Sequence, residues 1–130
     1  QHYFTLRDDP DRFDDLRRLA IFDLLANNTD RKSGHVLAGS DGRLWAIDNA
    51  LCFHHQFKVR TVIWDFAGHA LADDLVADLR RLTEDGLSTT LADLLDPFER
   101  DAVLTRADAV AAGGELPSDP SGRRVPWPLV

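Results

Sequence analysis

Few of the residues that staple small secreted folds, or that grip nucleic acid, occur in this sequence. Cys52 is its single cysteine. A lone cysteine closes no internal disulfide, and no charged-then-apolar leader opens the chain, so a cytoplasmic protein is expected. Only two of the 15 cationic side chains are lysine, Lys32 and Lys58, against 22 acids and a net charge of -7. The arginines are scattered, partly as pairs such as Arg17 with Arg18 and Arg123 with Arg124, which reads as decoration of solvated faces. Phosphate contacts need clustered cations, so a general nucleic-acid binder is excluded. No apolar run approaches the roughly 20 residues that span a bilayer. Proline is sparse until the end, where four of the six (Pro117, Pro120, Pro126 and Pro128) fall together. That segment, residues 117–130, reads as an extended tail without regular structure.

With 44% hydrophobic and 28% charged residues, the remainder has the composition of one ordinary globular domain. A chain of this length buries roughly two thirds of its unfolded surface and needs no metal or disulfide to hold a core. The start at Gln1, followed by the alternation through Leu6, reads as a trimmed chain entered midway along a strand. Asp9-Pro10 before Phe13, Leu16, Leu19, Ala20 and Leu24 predicts a capped helix with one apolar face. It stops at Asn27-Asn28-Thr29-Asp30, whose side chains compete for backbone hydrogen bonds. Two short apolar runs, His35–Ala38 and Leu44–Ile47, joined by Gly39-Ser40-Asp41-Gly42, predict a hairpin flanked by Asp30 and Asp48. Leu71, Leu75, Leu79 and Leu82 mark a further helix. Ser88 caps a short one, and Asp96-Pro97 opens a longer one ending at Gly113-Gly114.

Two carboxylates at the ends of one hairpin can converge on a cleft. Phosphoryl transfer uses such a pair, one to orient or deprotonate the attacking hydroxyl and one to hold the magnesium that bridges the nucleotide phosphates. Read without that context, both are equally plain turn residues. Asp23, on the first helix, either braces the loop or is a surface acid, and stays outside the core site. Cys52, His54 and His55, with His35 or His69, suggest zinc, but the spacing fits no compact four-ligand pattern. Cys52 reads more simply as a small buried residue. A Cys-His nucleophile lacks an evident orienting group. Trp45, Trp64 and Trp127 read as packing residues. Lys58-Val59-Arg60 either faces a substrate phosphate or forms the solvated edge of the apolar segment after it, and pattern favours the edge.

The string Asn28-x-Asp30-Arg31, a hairpin, and Ile47-Asp48-Asn49-x-Leu51-x-Phe53 resembles the catalytic and metal-binding loops of type II phosphatidylinositol 4-kinases and, more loosely, HipA-type kinases. With Asn27 to His35 and Val62 to Gly68 included, it resembles an actinobacterial branch of the phosphatidylinositol 3-/4-kinase-like family. The likeness covers about residues 20 to 70. It implies an α+β, mainly helical fold: the C-terminal lobe of a protein-kinase-like fold, residues 1–116, with one or two small β-hairpins. It also implies ATP as phosphoryl donor, Mg2+ or Mn2+ as cofactor, and an unidentified hydroxyl acceptor that is protein, lipid or small molecule. By position, Asp30 becomes the catalytic-loop aspartate followed by Arg31, Asp48 the metal ligand helped by His35, and Lys32 and Asn49 nucleotide-side residues. His35 stands where many kinases have asparagine, and Ala50 where type II lipid kinases have glycine.

The glycine-rich loop and strand lysine of a kinase normally lie before the catalytic loop. The 29 residues before Asp30 hold no glycine and no lysine. An absent N-terminal nucleotide lobe is therefore expected, which would leave this chain inactive alone. A pseudokinase or binding module is the alternative, and a divalent-metal phosphohydrolase using Asp30, His35 and Asp48 the next.

Overall fold

A computed structural model describes residues 1–130 as an α+β arrangement in which helices dominate and the one sheet is a two-stranded antiparallel hairpin. The opening segment is not a strand. Tyr3–Leu6 forms a single helical turn, α1, closed by Thr5, whose hydroxyl takes the His2 N–H at 3.1 Å and donates to the His2 carbonyl at 2.8 Å. Tyr3 and Leu6, three residues apart, both turn inward and are buried, so the apolar spacing serves a turn of helix and not an alternating sheet face. The Tyr3 hydroxyl donates to Asp65, and burial holds its pKa far above the usual phenol range.

Local capping chemistry marks three of the four other helices. Asp9 accepts the Asp11 N–H at 3.1 Å and Pro10 starts a 3-10 turn that runs into α2, Phe13–Ala26. Leu16, Ala20, Ile21 and Leu24 bury one side of α2. Its end is set by Asn27 in the left-handed region (φ 56°), a conformation that asparagine tolerates better than most residues. Ser88 caps α4 (Thr89–Leu94), accepting from Leu91 N–H at 3.3 Å. Asp96 and Glu99 exchange reciprocal 2.8 Å bonds at the start of α5, Pro97–Gly113, and Gly114 ends it at φ 69°.

Helix α3, Asp73–Asp85, packs along α5, and both enclose the core with α2. Leu75, Leu79 and Leu82 of α3 face inward, as their spacing predicts, with Val76 beside them, while Leu71 reaches the same core from just before the helix. Arg106 of α5 donates to the Leu25 carbonyl at 3.0 Å, satisfying one of the open acceptors at the end of α2. The hairpin pairs β1 (Val36–Ala38) with β2 (Leu44–Ala46), Val36 opposite Ala46. Its turn needs Gly42, which sits at φ 81°.

The proline-rich tail has no helix or strand from 117 to 130, yet it is bonded into the fold. Arg124 accepts at its carbonyl from Thr61 N–H (3.0 Å) and from the Trp64 indole (2.9 Å). Leu129 accepts from Ser33 N–H at 2.8 Å, and Pro126 is fully buried. No helix is long and apolar enough to cross a membrane.

Leu16 has no exposed surface and Leu94 is 77% exposed. Leu16→Ala is expected to lower the unfolding free energy by about 3 kcal/mol, through lost burial plus a cavity, while Leu94→Ala stays within about 0.5 kcal/mol. Urea denaturation of the two variants measures the contrast.

Candidate functional site

The loop after α2 is built from buried polar side chains. Asn27, which ends the helix, donates through Nδ2 to the carbonyls of His54 (2.8 Å) and Gln56 (2.5 Å) and accepts Lys58 N–H at Oδ1 (2.8 Å). Asn28 donates to Asp23 at 3.1 Å and accepts the Asp30 N–H at 3.0 Å. Asp30 is thereby fixed by its backbone while its carboxylate, half-buried, meets no donor from the chain. Residues 60–62 run parallel to this loop. Arg60 N–H donates to Asn28 (3.0 Å), Arg31 N–H to Arg60 (3.0 Å), and Val62 N–H to Arg31 (3.1 Å).

Beneath Asp30 lies an ion pair with no solvent exposure on either side chain, Asp23 with Arg31. The Arg31 Nε contacts both Asp23 oxygens at 3.1 and 3.2 Å, and Thr61 Oγ1 adds a bond to Asp23 at 3.0 Å. Burial pushes the Asp23 carboxyl upward, opposed by the charge of Arg31 and the bonds from Thr61, Asn28 and Arg31. The rest of the guanidinium reaches the opposite loop: Nη1 donates to the Ile47 carbonyl at 2.8 Å and Nη2 to the Asn49 side chain. Arg31 thus holds three segments together and acts on the site by positioning it. Asn49 turns its amide inward, to Arg31 and to the Ala46 carbonyl at 3.2 Å, and so pins the loop that carries Asp48.

Asp48 sits in the left-handed region (φ 56°), which turns the chain out of β2 and leaves its side chain 60% exposed. His35 bridges the two loops. Its Nδ1 lies 3.0 Å from the Asp30 carbonyl and 3.3 Å from Lys32 N, and its Nε2 lies 3.4 Å from Asp48. Both ring nitrogens are therefore occupied within the chain, an arrangement that orients Asp48. Asp30, Arg31, His35, Asp48 and Asn49 are brought into one assembly. Lys32 adjoins it half-buried, with its ammonium free of any ion pair.

No three His, Cys, Asp or Glu side chains converge closely enough to form a metal cage. Asp48, contacted by His35, presents one exposed carboxylate, and magnesium sites take only one or two carboxylates from a protein. His54 and His55 stack on each other at 4.6 Å. Cys52 is half-buried, and burial, reinforced by the Asp23 charge, pushes its thiol up.

Sequence reasoning left Asp23 outside the site. The signal was its register: it stands seven residues after Leu16 and three after Ala20, on the apolar face, where an acid needs a buried partner.

No family model matches this chain, and no solved structure matches it. Over 116 residues it is 39% identical to Protein Rv2133c of Mycobacterium tuberculosis, an alignment covering 87% of this chain and 42% of that protein. The chain thus spans well under half the length of the curated relative it matches.

Removing one member of a buried ion pair strands the other. Asp23→Ala and Arg31→Ala are each expected to cost about 3–5 kcal/mol of stability, and the double variant less than their sum, read from denaturation midpoints. With its thiol pKa raised, Cys52 is expected to react with iodoacetamide at neutral pH more slowly than free cysteine does.

Proposed function

We propose that this chain is the catalytic lobe of an ATP-dependent phosphotransferase of protein-kinase-like fold, similar to the phosphatidylinositol 3-/4-kinase-like proteins, and that it works within a longer polypeptide. One observation carries the reading. The loops bearing Asp30 and Asp48 are tied to each other through Arg31 and His35, yet the Asp30 carboxylate meets no donor of the chain and that of Asp48, contacted by His35 alone, stays exposed. Asp23 and Asp119, by contrast, turn their oxygens onto several of the chain's own donors.

In this mechanism Asp30 accepts the proton of the acceptor hydroxyl as that oxygen attacks the γ-phosphorus of ATP. The new P–O bond forms as the bond from the γ-phosphorus to the β,γ-bridging oxygen breaks, and ADP leaves. Magnesium, when bound, neutralises charge on the phosphates. Asp48 supplies its protein carboxylate, His35 orients that carboxylate, and Asn49 holds the loop. Arg31 fixes the distance between the two loops. Lys32, unpaired beside Asp30, is available to a phosphate oxygen.

A binding module without catalysis is the second reading, favoured by His35, whose nitrogens both engage the chain where kinases offer a free metal ligand. A two-metal hydrolase draws less support, because no three-donor cluster is built.

Calorimetry with Mg-ATP on the full-length polypeptide, paired with transfer of labelled γ-phosphate, separates these readings. Asp48→Ala is expected to abolish Mg-ATP binding. Asp30→Asn should retain it while lowering transfer by about 100-fold to 10,000-fold. Failure of the folded full-length protein to bind Mg-ATP would overturn the catalytic reading, and binding without transfer would select the binding module.

A further inference from the structure

An open groove of about 550 Å³ runs from Thr29, the neighbour of Asp30, between residues 57–60 and the tail turn at 121–124. Lys58, Arg60, Arg123 and Arg124 all line it. None of the four forms an ion pair, although the chain carries 22 acids. In a protein with a net charge of -7, four unpaired cations facing one concavity form a local field of opposite sign to the whole.

Both walls are anchored at the backbone. On one side Lys58 N–H is held by the Asn27 side chain at 2.8 Å, and Arg60 is bonded through both its N–H and its carbonyl to the Asp30 loop. On the other, Asp119 shapes the tail turn, taking the Ser121 N–H (3.1 Å), the Ser121 hydroxyl (2.6 Å) and the Arg124 N–H (2.9 Å). Those bonds, with the nearby charge of Arg124, lower the pKa of Asp119, which forms no hydrogen bond or ion pair with a groove guanidinium. The Arg124 guanidinium lies over the Phe57 ring at 4.5 Å, which orders its head before any ligand arrives.

We infer that this groove binds a phosphate monoester and, on the phosphotransferase reading, holds the phosphorylated end of the acceptor so that its hydroxyl meets Asp30. Several arginine forks match the multiple oxygens and double charge of a phosphate monoester better than they match a single carboxylate. The groove begins at Thr29, the residue before Asp30, so an anion held here lies next to the loop that carries the proposed base.

The test follows backbone amide shifts by NMR as inorganic phosphate is titrated into the protein. Saturable shifts are expected at residues 57–60 and 121–124, weakened at least about tenfold in Arg60→Ala/Arg123→Ala and unchanged in Arg81→Ala on α3. Both groove positions are exposed, and alanine keeps the Arg60 backbone bonds, so an otherwise unaltered spectrum confirms the fold of the double variant. Shifts scattered over the surface, or undiminished in the double variant, would reduce the site to an adventitious ion only and overturn the inference. Co-sedimentation with phosphatidylcholine vesicles containing phosphatidic acid, lost in the double variant, would assign the monoester to a lipid headgroup; phosphate binding without co-sedimentation assigns a soluble acceptor. Mg-ATP that competes with phosphate would place the nucleotide here and overturn the acceptor role. Phosphate binding that persists in Asp48→Ala, where Mg-ATP binding is lost, supports both readings. Phosphate binding by a full-length protein that never binds Mg-ATP removes the acceptor role and leaves the anion site standing.

Discussion

Everything at the candidate site depends on one buried charge pair. Asp23 projects from the apolar face of α2 and Arg31 from the loop after it, and neither retains any contact with water. Such a pair adds little net stability compared with apolar residues of the same volume, because the desolvation of two charges offsets their attraction. What it supplies is geometry. A guanidinium presents its donors in a rigid plane, so Arg31 can face the helix with one edge and the Asp48 loop with the other. Distances between helix, loop and hairpin are set together by that plane, and a lysine would offer no equivalent.

The polar residues around the pair follow from the same constraint. A buried carboxylate needs its remaining lone pairs met, and Asn28 and Thr61 meet them. Those two residues sit on different segments, so satisfying Asp23 also aligns residues 60–62 beside the Asp30 loop. Polar networks of this kind define a single arrangement when every member is paired. Here the network ends at the half-buried carboxylate of Asp30, which meets no donor of the chain, and at the exposed one of Asp48, which meets only His35.

Much of the fold was legible because its signals are local. Asp9-Pro10, Ser88, the Asp96/Glu99 reciprocal cap and Gly114 each act within one helical turn, and the helices they mark, α2, α4 and α5, appear there. The hairpin was equally readable from Gly39 to Gly42. The opening turn was not, since Tyr3 and Leu6 suit either a strand or one turn of helix until their neighbours are known. Asp30 and Asp48 stood out by motif, but the roles around them did not. Arg31 and Asn49 read as active-site groups, and their side chains bond each other, Arg31 buried and Asn49 exposed, while Asp23 read as optional and is the buried partner of Arg31. The basic groove was invisible for a plainer reason. Lys58-Val59-Arg60 resembles a solvated edge, and Arg123-Arg124 resembles tail decoration, until a fold brings segments more than 60 residues apart against each other. Backbone bonds such as Arg124 to Thr61 leave no trace in side-chain pattern at all.

The attachment of the tail also constrains the order in which this protein can be made. Strand-like pairing of residues 28–31 with 60–62 needs only the first half of the chain, so the loop beneath Asp30 can begin to form early. Ser33 and Thr61, however, find their partners at Leu129 and Arg124. During synthesis, therefore, these two buried amides stay without their acceptors until residues 124–129 have been made. The backbone beneath the Asp30 loop is thereby completed only when residues some 60 to 100 positions further along the chain have joined it.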